Sequence, residues 1–204
     1  TLLIWRIGKN TRALKLEEAR RQLFLDFPLV TIIVPGKNEG EHIYKLAMSM
    51  REQSYKNYEF LVIDDGSDDD TEMICKSLQK SGFIDMFIRN EVRGGKASAA
   101  NTGFRFAKGK FVIHLDADCS YDNDAIEKIL IPFYMDPKIG GVGGNVMVRN
   151  YNESLATTLQ AIEYSDTISI GRITSSYLGI YRVISGAFGA FKTDILHQVG
   201  AWDI

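Results

Sequence analysis

Two aspartates one residue apart, Asp116 and Asp118, are the side chains of this sequence best suited to do chemistry. Carboxylate oxygens are hard ligands of the kind that Mg2+ and Mn2+ take. A divalent ion held there would neutralise a diphosphate leaving group. An Asp-x-Asp pair alone arises by chance in many chains of this length. Its setting adds weight, because it directly follows Phe111-Val112-Ile113-His114-Leu115, which reads as a buried strand. Open α/β sheets bind ligands at the C-terminal ends of their strands.

Other strand-like runs end the same way. Leu29 to Val34 runs into Pro35, Asn38 and Glu39, and Tyr58 to Ile63 runs into Asp64, Asp65, Gly66 and Ser67. In a parallel sheet these ends lie on one side, so carboxylates far apart in sequence converge. They repel one another unless a cation or hydrogen-bond donors come between them. The plainer alternative is that acidic residues cap the helices that follow, which suits Asp68 and Asp69 but accounts poorly for Asp65 and Asp116. A fourth segment, Asn90 to Lys96, places Gly94 and Gly95 at a helix start, where backbone N–H groups can approach an anion. Lys96 adds a point charge suited to phosphate. The spacing is not that of a Walker A loop.

The elements that must position these residues alternate along the chain. Strands are expected at 29–34, 58–63, 84–88, 110–115 and 142–148. Helices are expected at about 39–53, 70–80, 96–107 and 122–133. Such alternation implies a mostly parallel sheet covered on both faces, an α/β three-layer sandwich. Residues 10–27 read as an amphipathic lead-in helix with apolar positions at Leu14, Leu16, Ala19, Leu23 and Phe24. After residue 150 the pattern changes. One long helix is expected over 153–173, and 174–192 shows no clean period.

Composition sets the outer bounds. The chain has 204 residues, 45% hydrophobic and 25% charged, which fits one globular domain. A net charge of -2 argues against nucleic-acid binding as a bulk property. The two cysteines, Cys75 and Cys119, have no metal-ligand spacing and read as free thiols in a reducing compartment. The three histidines, His42, His114 and His197, do not cluster, so a zinc site is not expected. Thr1 to Arg6 is too short to span a bilayer, but Trp5, Arg6 and Lys9 suit the interface beside one. The expected organisation is a lead-in at 1–27, juxtamembrane in character, and a domain at 28–204.

From about residue 28 to 203 the chain resembles the family 2 glycosyltransferases, which share the GT-A, Rossmann-like fold. The resemblance rests on Thr31 to Glu39, on Asp64-Asp65-Gly66-Ser67 with Asp70-Thr71, on Gly94-Gly95-Lys96-Ala97 through Asn101, and on Leu115 to Asp118. Val142 to Asn145, Gln160 to Tyr164 and Ile184 to Lys192 resemble the processive membrane synthases that make poly-N-acetylglucosamine, hyaluronan, cellulose and chitin oligosaccharides. Val199 to Asp203 is similar to the stretch before that group's Thr-Glu-Asp motif. That motif and a Gln-x-x-Arg-Trp motif are expected beyond Ile204, so the catalytic domain reads as incomplete and no general base is assigned within it.

This resemblance implies inverting transfer from a UDP-sugar, UDP-N-acetylglucosamine before UDP-glucose, to a glycan acceptor, with Mg2+ or Mn2+. It places Pro35, Asn38, Glu39, Asp64, Asp65, Lys96, Asn101 and Asp116 around the nucleotide sugar. Asp65 and Glu39 would meet uracil and ribose, Asp64 would do the same or orient its loop, and Lys96 would meet the diphosphate. Asp118 would ligate the metal with Asp116 beside it. Asn145 and Arg149 are further donor-side candidates; Ser185 and Gly186 fall on the acceptor side or serve a tight backbone approach, and Trp202 either stacks on an acceptor sugar or packs in the core. The parent protein is expected at the cytoplasmic face of the cell membrane, held there by segments outside this chain. Two rival readings are a nucleotide-sugar-binding module without catalysis and a sugar nucleotidyltransferase. The latter lacks support, since no Gly-rich basic run follows the first strand.

Overall fold

A computed structural model describes residues 2–145, 147, 152–164, 171–179 and 184–203, with the backbone alone for 2–11, 164, 172, 173 and 176. The apolar runs become the middle of a six-stranded sheet. Its strands are β1 (Val30–Gly36), β2 (Tyr58–Asp64), β3 (Met86–Arg89), β4 (Phe111–Leu115), β5 (Gly141–Gly143) and β6 (Phe188–Lys192). Their spatial order is β3-β2-β1-β4-β6-β5. The pairs β1/β2, β1/β4 and β2/β3 are parallel, while β6 runs antiparallel to β4 and β5.

Successive side chains of a strand point to opposite faces, and both faces are apolar in the middle of the sheet. On one face Ile32 and Val34 of β1 and Phe111 and Ile113 of β4 pack beneath α1 (Leu2–Asp26), α2 (Gly40–Met50), α3 (Thr71–Lys80) and α5 (Ala125–Met135). On the other, Ile33, Leu61, Ile63 and Val112 meet α4 (Lys96–Phe104) and α8 (Thr193–Val199). The architecture is the expected three-layer sandwich, and the C-terminal ends of β1, β2 and β4 share one rim.

Some details differ from the sequence reading. Pro35-Gly36 does not stop β1. The strand continues beside β2, with Pro35 opposite Ile63 and Gly36 opposite Asp64. β1 pairs with β4 only through Ile33, so the N–H that proline lacks interrupts nothing there. The lead-in helix begins at Leu2, and of its five expected core positions only Ala19 and Leu23 are buried, while Leu14 is 72% exposed. Polar ties fasten it instead. Arg20 donates to buried Glu127 at 2.5 Å, and Asp26 accepts from Lys110 at 2.7 Å and Tyr134 at 2.5 Å.

The expected long helix is described as α6 (Leu155–Tyr164) and α7 (Gly171–Tyr177), with 165–170 outside the described residues. The expected strand at 142–148 is the three-residue β5, with 146 and 148 also outside them. β6 and α8 had no legible period. Gly189 lies inside β6 because a Cβ there would stand 2.8 Å from Ile184 Cγ2 and 2.9 Å from the Ser185 carbonyl oxygen. That close approach excludes the β-branched residues that usually mark a strand.

Candidate active site

At the end of β1 the chain turns through Asn38, whose φ is 59°. Asparagine tolerates this left-handed conformation better than most residues. The Asn38 N–H donates to Ser67 Oγ at 2.8 Å and its side-chain amide to Asp68 at 2.7 Å. These bonds lock the first turn to the second and bring Glu39 to the rim. Glu39 is then held at 2.6 Å by His42 Nδ1.

β2 ends in two adjacent carboxylates with different fates. Asp64 is fully buried. Its Oδ1 accepts from the Ser67 N–H at 2.9 Å and from the Ser67 hydroxyl, and Arg89 Nε stands 3.8 Å from its Oδ2. Asp65 faces the rim and draws in the segment before α4. Its Oδ1 accepts from Gly94 N–H at 3.0 Å and the Asn90 amide at 3.2 Å, and its Oδ2 from Gly95 N–H at 2.7 Å. Gly95 has φ of 85°, which presents both N–H groups to one carboxylate. Burial raises the Asp65 pKa, but the donors Gly94, Asn90 and Gly95 and the charge of Arg93 outweigh it, so the group lies below the ordinary carboxylate value.

β4 ends in the Asp-x-Asp pair. Asp116 is partly buried and forms an ion pair with Lys96, while Asp118 is exposed. Oxygens of both carboxylates and Cys119 Sγ lie within 4.8 Å of one another. Burial, then the charges of Asp118 and Asp116, push the Cys119 thiol up to about 11, so it stays protonated near neutral pH. The two carboxylates offer hard oxygens, a set that fits Mg2+ or Mn2+. Beneath this turn His114 is buried and its Nδ1 donates to the Gly186 carbonyl. Burial, then the charge of Lys96, push its pKa down to about 4.

These ends enclose a cavity of about 240 Å3 lined by Pro35, Glu39, Asp65, Lys96, Asp116 and Asp118, all singled out from the sequence. Lys37 and Arg93 line it too. Both had gone unassigned, although each sits next to a residue already chosen. A wider groove of about 970 Å3 opens beyond Asp118, with Asn145, Tyr121 and Phe188 in its wall.

Several expected site residues are occupied elsewhere. Asp64 is buried behind the rim and organises the turn. Asn38 is spent on Asp68. Asn101 exchanges two bonds with the Trp202 backbone, at 2.7 and 3.0 Å. Trp202 packs among Phe104, His114 and Phe191 on the α4 face, so apolar contact rather than an acceptor fixes its place. The Gly94 and Gly95 N–H groups are taken by Asp65 and do not form an open anion cradle. Ser185 and Gly186 lie against the end of β4 without lining the smaller cavity. Arg149 lies outside the described residues.

The mostly parallel sheet is shared with solved glycosyltransferases. A mannosyltransferase from Pyrobaculum calidifontis, solved in complex with GDP-Man and Mn2+, superposes with a TM-score of 0.68 at 25% identity, over 86% of this chain and 48% of that one. TarS of S. aureus, solved with UDP-GlcNAc, gives 0.56 at 18% identity, over 85% and 48%, and shares the fold. The fold is GT-A. The family description "Glycosyl transferase family 2" matches residues 31–200, and the chain belongs to that family. It is 34% identical over 174 residues to a poly-beta-1,6-N-acetyl-D-glucosamine synthase of Staphylococcus epidermidis and 35% identical over 175 to that of Staphylococcus aureus. Each alignment covers 85% of this chain, which spans 42% of the length of these curated relatives.

Proposed function

We propose that this chain is the donor-binding part of a hexosyltransferase that moves a sugar, with inversion, from a UDP-sugar to a glycan acceptor. UDP-N-acetylglucosamine is the first choice of donor, on the likeness to poly-N-acetylglucosamine synthases, and UDP-glucose the second. The observation that carries the reading is the convergence of Asp65, Lys96, Asp116 and Asp118 on one small cavity at the C-terminal rim.

Asp65 has filled three of its roughly four acceptor positions with protein donors, which leaves Oδ2 one to accept an N–H from the base. Glu39, steadied by His42, faces the ribose. Lys96 moves from Asp116 onto the diphosphate, joined by Lys37 and Arg93. Asp116 and Asp118 would hold Mg2+ or Mn2+, a reading supported by the Mn2+ in the mannosyltransferase complex. Bound there, such an ion would supply Lewis-acid stabilisation of the departing nucleoside diphosphate. The acceptor hydroxyl oxygen forms the new bond to the anomeric carbon as the carbon–oxygen bond to UDP breaks and its electron pair leaves with UDP. The hydroxyl proton passes to a base outside residues 1–204. In this reading 28–204 is catalytic domain and 1–27 a juxtamembrane lead-in. The parent protein works at the cytoplasmic membrane face through segments outside the chain. Among the described residues no helix is long and apolar enough to cross a membrane.

Saturation-transfer NMR with Mg2+ tests the donor. UDP-N-acetylglucosamine is expected to displace UDP-glucose, with GDP-mannose weakest. Preference for GDP-mannose would overturn the assignment.

A further inference from the structure

Pairing of β4 with β6 ends at Leu115 opposite Phe188. One step further the Asp116 N–H still donates to the Ala187 carbonyl, over a long 3.2 Å. The Tyr121 hydroxyl sits beside this long rung. It lies 3.1 Å from the Asp116 nitrogen, 3.0 Å from the Asp116 carbonyl oxygen and 2.8 Å from the Ala187 carbonyl oxygen. A phenol has one proton to give. The hydroxyl accepts from the Asp116 N–H and donates to the nearer carbonyl, that of Ala187. It thereby doubles the long last rung between the carboxylate turn and the segment before β6.

The ring is held separately, at 5.2 Å and 66° from Phe188. Ring and hydroxyl are thus two attachments. The first is ordinary packing; the second closes a loop from 116 to 121 that contains both carboxylates. Ala187 is the third residue of Ser185-Gly186-Ala187, and Gly186 already accepts from His114. Two side chains at the end of β4 therefore grip this segment, and only Tyr121 also grips the backbone of Asp116.

We propose that Tyr121 is a positioning residue. Through its hydroxyl it sets the separation and aim of the Asp116 and Asp118 carboxylates and fixes them relative to the 185–187 segment. This rests on reading the two carboxylates as the cation-binding pair. Two ligands that must meet one ion tolerate little misplacement, so loss of the hydroxyl should weaken the metal before it weakens the nucleoside.

Tyr121→Phe keeps the ring and removes the hydroxyl. Four readings decide the role: the Mn2+ concentration at half-maximal UDP binding, UDP affinity at saturating Mn2+, uridine affinity in EDTA, and the melting temperature. The Mn2+ midpoint should rise about five- to tenfold, as loss of one hydrogen bond implies. Uridine affinity should stay as in the wild type and UDP affinity at saturating Mn2+ should largely recover. An unchanged midpoint in a folded variant overturns the role. A uridine loss equal to the UDP loss overturns it as well, since that marks general loosening. A wild-type chain whose UDP binding ignores Mn2+ sinks the underlying reading of Asp116 and Asp118, and the role with it. Should the variant melt too early for titration at room temperature, the same four readings at 4 °C decide by the same criteria.

Discussion

The turns after β2 and β4 look alike in sequence, each an acidic pair closing an apolar strand, yet the structure uses them for opposite ends. After β2 the carboxylates are spent on the protein. Asp64 organises Ser67, and Asp65 gathers Asn90, Gly94 and Gly95. After β4 Asp118 is exposed and Asp116 meets a lysine that can swing away. A carboxylate saturated with backbone donors builds shape, and one left facing solvent or a mobile cation can take a ligand. The first turn is scaffold with one acceptor to spare, and the second is the turn the proposed function assigns to the metal.

The contrast breaks most readily at Asp118. Asp118→Ala should abolish Mn2+-dependent UDP binding while leaving the melting temperature within about 2 °C of wild type, as for an exposed surface change. Normal UDP binding with Mn2+ would remove Asp118 from the site. Asp65→Ala should cost stability as well as the contact to the base, because it strands the Gly94 and Gly95 N–H groups at the rim. A loss of about 2–5 kcal/mol is expected, or roughly 4–20 °C for a domain of this size. Thermal melting followed by circular dichroism reads both variants. Equal small shifts would erase the distinction between the turns.

Acid probes the seam beneath the second turn. Folding lowers the His114 pKa to about 4 from the ordinary 6.5 of a histidine, chiefly through burial. As pH falls below 6.5 the unfolded chain takes up the proton first, so stability declines down to about pH 4 and gains nothing above 6.5. The full effect is of order 3 kcal/mol. Urea unfolding at pH 7 and pH 4.5 should show a smaller acid loss in His114→Asn than in wild type. The smallest effect concerns Lys96. Lys96→Ala should weaken UDP but not uridine. It should also let Mn2+ alone bind a few-fold more tightly, since the exposed ion pair it removes is worth about 1 kcal/mol or less. Equal losses for UDP and uridine by calorimetry would take Lys96 off the diphosphate.

The same contrast explains what the sequence could reveal. β1, β2 and β4 are buried on both faces, so each is a continuous apolar run bounded by polar residues, and the rim followed from parallel topology. The pairing of Asp65 with Gly94 and Gly95 was invisible, because it depends on which of two adjacent aspartates turns outward after β2. Asn38, Asn101 and Trp202 carried the right motif positions, but their hydrogen bonds and ring contacts are long-range and leave no local pattern. β6 was hidden by Gly189, which obeys a close backbone approach rather than strand propensity. Tyr121 lay five residues past Asp116 with no period or motif to mark it, and only the end of the β4/β6 ladder gives its hydroxyl a purpose.

The most direct test of the second turn is calorimetric titration of the wild-type chain with UDP, first with Mn2+ and then with EDTA. The account predicts saturable binding with Mn2+ that EDTA removes. Binding of equal strength in both would contradict it, because the open carboxylates after β4 would then have no part in holding the donor.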